Sequence, residues 1–61
     1  MKYKIGDTIL FNYNSINGIG LINNIFNLST FTVIEITVEN DSYFPSTFMI
    51  SEKHIVGRVI R

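Results

Sequence analysis

The sequence predicts an all-β chain, folded as a small five-stranded barrel with one 3₁₀ turn before the last strand. Three observations carry that reading. Apolar and polar residues alternate at period two through several segments, as they do in half-buried strands. Isoleucine is the dominant apolar residue, with eleven copies and no alanine in 61 residues, and β-branched side chains suit a pleated surface. Between the apolar segments stand short clusters of Asn, Asp, Ser and Gly, the residues that turns select.

Ile5-Gly6-Asp7 reads as a turn into a first strand, Thr8 to Tyr13, where Ile9, Phe11 and Tyr13 share one face. The polar segment Asn14 to Asn17 reads as a loop, with Gly18 supplying the positive φ of a tight turn after Asn17. Gly18 to Phe26 forms the second strand, in which Gly20 predicts a bulge or a close backbone approach. After the turn Asn27-Leu28-Ser29, the third strand runs from Thr30 to Glu39. Its even positions Thr32, Ile34, Ile36 and Val38 face the core, while Phe31, Val33, Glu35 and Thr37 face away.

Asn40-Asp41-Ser42 is a turn signal, and Pro45, which lacks an N–H, delays regular pairing until Ser46. Thr47 to Ile50 is the fourth strand, with Phe48 and Ile50 inward. Ser51-Glu52-Lys53-His54 is too short for an α-helix and fits one 3₁₀ turn capped by Ser51. Ile55 to Ile60 closes the chain as the fifth strand. The whole, residues 1–61, is expected to be a single domain without repeat or linker.

Size and composition limit what such a domain does. A chain of this length buries only roughly 60% of its unfolded surface. It has no cysteine, so neither a disulfide nor a thiolate metal site supplements the core. A hydrophobic fraction of 46% exceeds what so small a core hides, which points to an apolar interface. Five acidic and five basic residues balance and are scattered, against a strong nucleic-acid or anionic-membrane binder. Lys2, Lys4, Arg58 and Arg61 at the chain ends are the cations able to converge. No window reads as a signal peptide or transmembrane helix, and the expected location is cytoplasmic, with no membrane partner. Abundant Ile with seven Asn favours an AT-rich coding genome, such as that of a Gram-positive bacterium or its phage.

Ile5-Gly6-Asp7 before an apolar strand, then Gly18-Ile19-Gly20-Leu21-Ile22, then Phe31-Thr32-Val33, resembles the KOW and related translation-protein SH3-like modules. The resemblance covers most of the chain loosely and these three motifs specifically. It implies an SH3-like β-barrel and, in the family, nucleic-acid binding. Here asparagines replace the basic residues around the two glycines, which counts against RNA binding but not against the fold. Ile50 to Ile60 is also similar to the closing strand of signal-peptidase-type β-domains. Without their Ser/Lys catalytic segments and membrane anchor, this implies shared β-architecture only.

No constellation for catalysis, metal or cofactor emerges, and the chain is expected not to be an enzyme. His54 is the only histidine and reads as a solvent-facing turn residue. Glu35 and Glu39 lie four apart on a strand, about 13 Å and too far for a dyad. The two glycines lack the lysine of a phosphate loop.

The strongest binding signal is Ser42-Tyr43-Phe44-Pro45: adjacent aromatics beside a turn cannot both alternate inward. The expected binding residues are therefore Tyr43, Phe44 and Pro45, with Tyr13, Tyr3 and Phe11 as candidates to extend an aromatic patch. The preferred function is a protein-interaction module, a small phage-type or accessory protein that binds a protein partner or self-assembles. Sparsely charged edge strands favour a homodimer or larger homo-oligomer. The alternatives are a nucleic-acid-binding KOW-like domain and an oligomer that sequesters a small ligand between subunits.

Overall fold

A computed structural model describes residues 3–38 and 46–59. Five strands, β1 (Thr8–Tyr13), β2 (Ile16–Asn27), β3 (Thr32–Val38), β4 (Thr47–Ser51) and β5 (Ile55–Val59), form one antiparallel sheet of order β4-β3-β2-β1-β5. One 3₁₀ turn, Glu52–His54, separates β4 from β5. The all-β class and the five strands agree with the sequence reading. The sheet is not closed, because β4 and β5 stand at opposite ends of it.

β2 is the long strand, and it serves both halves of the sheet. Its first part, from Ile16 to Leu21, pairs with β1, and its second, from Gly20 to Asn27, pairs with β3. The register shifts between Ile22 and Asn24, so the bulge predicted for Gly20 falls at Asn23 instead. Asn23 donates from Nδ2 to Oγ1 of Thr37 on β3, which fixes the extra residue in place. Gly20 fulfils the other expectation, a close approach: a Cβ there would lie 3.1 Å from Cδ1 of Ile36.

Gly18 departs from its expected role. The positive φ values of the β1–β2 turn belong to Asn14 (53°) and Ser15 (67°), and Ile16 and Asn17 are already strand residues. Two consecutive left-handed residues between paired Tyr13 and Ile16 make the two-residue turn whose twist matches the flanking strands. Gly18 is needed for space. It lies opposite Phe11 across the ladder, under the ring, where a Cβ would come within 2.6 Å of Cζ.

The turn before β1 is sewn to β2. The N–H of Gly6 donates to the Ile22 carbonyl (2.9 Å), and the Ile22 N–H donates to the Asp7 carbonyl (2.9 Å). Asp7 N–H reaches the Lys4 carbonyl (3.0 Å), while the Lys4 N–H donates to the Asp7 carboxylate (3.0 Å). Gly6 takes φ 98°, a conformation closed to most residues with a Cβ. Arg58 on β5 stands 3.8 Å from the same carboxylate.

The core is Tyr3, Ile9, Phe11, Ile22, Ile34, Ile36, Val38 and Ile50, with Tyr13, Ile25, Phe48 and Ile55 packed around it. The inward residues of β3 and β4 are those that alternation predicts, apart from half-buried Thr32. No polar or charged residue is buried among the described residues. Ser51 precedes the 3₁₀ turn, but its side chain makes no capping hydrogen bond.

Gly18→Val is expected to drive its side chain into the Phe11 ring and destabilise by about 1–3 kcal/mol, lowering Tm by at least about 4 °C. Gly57→Ala, where nothing lies within 4 Å, is expected to change stability by less than about 0.5 kcal/mol. Equal losses for the two in thermal melts would refute the close-approach account. Gly6→Ala tests the turn: its positive φ predicts a loss of roughly 1 kcal/mol or more in urea unfolding.

Candidate functional site

The outer surface of the sheet carries apolar residues that the core does not use. Register explains which. Phe26 pairs with Val33, and Glu35 pairs with Met49, so Phe26, Val33, Glu35 and Met49 share the face opposite Ile34 and Ile50. The bulge at Asn23 sets this parity for the second half of β2, putting Ile25 toward the core and Phe26 outward. Phe26, Leu28, Val33 and Met49 line a shallow groove of about 270 Å³.

The β2–β3 hairpin holds one end of the groove. The Leu28 N–H donates to the Phe31 carbonyl (2.9 Å), and Oγ1 of Thr32 donates to Oδ1 of Asn27 (3.2 Å). These bonds leave Leu28 and Phe31 standing out, at 52% and 53% exposure, with Met49 at 54% and Phe26 at 42%. Large apolar side chains so exposed are ordinary singly, but a contiguous cluster marks an interaction surface. No ionisable side chain lines this groove. Its chemistry is therefore apolar contact, not acid–base or ionic recognition.

The residues expected from the sequence fall elsewhere. Tyr43, Phe44 and Pro45 lie outside the described residues. Tyr13 is half-buried at the end of β1, its ring edge-on to Phe48 (centroids 5.9 Å) and to His54 (4.9 Å). Phe11 meets the same Phe48 ring (5.7 Å) but is fully buried. Tyr3 is 7% exposed; it belongs to the core and lines a cleft with Glu52, Lys53 and Ile55. The structure thus joins Phe11, Tyr13, Phe48 and His54 into one aromatic run, with His54 half-buried, not solvent-facing.

Groove residues were partly visible in the sequence. Alternation had put Phe31 and Val33 on the outer side of the third strand, and Met49 between inward Phe48 and Ile50 must point out. Phe26 was hidden by the bulge, which no residue type announces. Among the described residues no group of three or more His, Cys, Asp or Glu gathers as a metal site. No helix among them is long and apolar enough to cross a membrane.

Comparison of the chain with protein-family models, curated proteins and solved structures found no match.

The aromatic run generates a measurable expectation. Edge-to-face pairs contribute about 0.5–1.5 kcal/mol beyond area burial. Tyr13→Ala should lower stability by more than that, and Tyr13→Phe should restore nearly all of it. In proton NMR the His54 ring resonances should move in Tyr13→Ala and stay in place in Tyr13→Phe. Unmoved resonances in both variants would mean that the two rings do not meet in solution.

Proposed function

We propose that this chain is a protein-interaction module without catalytic activity of its own, built as an SH3-like small barrel. The meander order of the strands, the long bulged β2 shared between two halves and the 3₁₀ turn before β5 support that architecture. The observation that carries the functional reading is the groove of Phe26, Leu28, Val33 and Met49, continued at the hairpin by exposed Phe31.

A 61-residue domain is marginal, and leaving this much apolar side chain in water wastes transfer free energy of roughly 25 cal/mol per Å². Covering the face with a partner recovers it. The partner is a protein surface, since a shallow groove without charged lining suits apolar side chains and offers nothing to a phosphate backbone. Arg58 is already engaged by Asp7, which lowers the cationic character that the nucleic-acid alternative needs.

The test is site-specific photo-crosslinking in cells that naturally make the protein. A photoreactive phenylalanine at position 28 is expected to give a discrete protein adduct, whereas the same group at Ile5, exposed but outside the groove, gives none. Absence of an adduct from position 28, or the same adducts from both positions, would overturn the proposal. Phe26→Ser, combined with the position-28 probe, should reduce the adduct at least tenfold.

A further inference from the structure

The two free edges of the sheet are not alike. On β5, Arg58 stands opposite Ile9 with its side chain half exposed beside Asp7, and the register breaks between Leu10 and Phe11, leaving Val56 as an extra residue. A charged side chain on an edge strand and a bulge are both devices that stop an edge from accepting another strand. β4, Thr47-Phe48-Met49-Ile50-Ser51, has neither: no charge, no proline and no register break along its five residues.

The ladder also shows which groups of β4 face outward. The Val38 N–H donates to the Ser46 carbonyl (2.8 Å), so the pair 38/46 is hydrogen-bonded. Antiparallel pairs alternate, and the pairs 36/48 and 34/50 are then bonded as well. The N–H and C=O groups of Thr47, Met49 and Ser51 point away from β3, where no described strand receives them.

From this asymmetry we infer that the chain pairs with a second copy of itself, joined edge to edge through β4 about a two-fold axis at Met49. The inference rests on the interaction-module reading above and adds self-pairing beside the groove, which widens the apolar face offered to a partner. With Met49 on the axis, Thr47 of one copy faces Ser51 of the other and the reverse, in the self-complementary manner a two-fold requires. About four backbone hydrogen bonds form across the seam, the Ser51 carbonyls being engaged in the 3₁₀ turns.

The charge pattern permits this pairing. Every side chain facing its counterpart across the seam is neutral, and the chain as a whole carries no net charge. Among the described residues, the nearest like charges on that face are the two Glu35 carboxylates, each beyond a Met49. They lie three strand spacings apart, about 14 Å, beyond the screening length of about 8 Å at physiological salt. Across the axis the two Met49 side chains stand together and make the two grooves into one apolar strip.

The mass of the full chain by sedimentation, from about 10 μM to 1 mM, tests this. A reversible dimer is expected, insensitive to salt. Met49→Pro removes one outward N–H and no β3–β4 hydrogen bond, and an edge strand tolerates proline at such a position. Met49→Lys sets two ammonium groups side by side at the axis. Both variants should keep the far-UV spectrum of the parent and raise the dimer Kd at least tenfold. In a chain otherwise lacking cysteine, Met49→Cys should oxidise to a covalent dimer, and Val56→Cys on the opposite edge should not.

A monomer throughout, a dimer indifferent to both Met49 variants, or a larger ring through β4 against β5 would each overturn the β4 seam. A monomer that still gives a heterologous adduct from position 28 would sink the second-copy inference and leave the interaction-module reading standing. Loss of that adduct with the dimer intact would do the reverse.

Discussion

Everything in this fold depends on how closely β2 passes under Phe11. Phe11 is one of the largest fully buried side chains, and its ring lies over Gly18, where there is no room for even a methyl group. Two positions along, Gly20 leaves space for Ile36 from β3. The glycines thus let one strand serve as the floor of the core while β1 and β3 place their large side chains over it. The eight buried core residues among those described leave no slack. Lifting β2 by a methyl group would separate Phe11 from Phe48 and open the interior to water.

Strand positions were legible because period-two patterns survive wherever one face is buried. Ile9 and Phe11 on β1, and Ile34, Ile36 and Val38 on β3, are buried as alternation requires. What the pattern could not show was where its own phase changes. Asn23 is a bulge, yet Asn is also an ordinary turn or edge residue, and nothing in Ile22-Asn23-Asn24-Ile25 marks which asparagine is extra. Likewise Asn14-Ser15 and Asn17-Gly18 both read as turns; the hairpin uses the former because Phe11 needs Gly18 beneath it. The apolar groove was half legible for the same reason. Val33 and Met49 follow from parity, but their meeting with Phe26 and Leu28 depends on the bulge and on the hairpin bonds.

The outer face and the inner core are two uses of one composition. A small domain rich in isoleucine and phenylalanine fills its interior quickly, and the surplus goes where hairpin geometry puts it. Here that is the end of the sheet formed by β2, β3 and β4, remote in register from the turn that binds Asp7 to β2. The two regions divide the labour. Backbone bonds around Gly6 and Asp7 hold the start of the chain against the sheet, and the hairpin end is left apolar and open.

The order β4-β3-β2-β1-β5 has a consequence for how the chain finds its structure. Three of its four strand junctions join sequence neighbours, so they close short loops at little entropic cost and can form early. The β1–β5 junction alone ties residues such as Thr8 and Val59, almost the full length of the chain apart. Its closure is cheapest once the meander has formed. Of the four junctions, the one between β5 and β1, with the ion pair between Arg58 and Asp7 beside it, carries the largest loop-closure entropy. The apolar groove thus lies wholly on strands paired with their sequence neighbours, and the one long-range junction lies on the far side of the sheet.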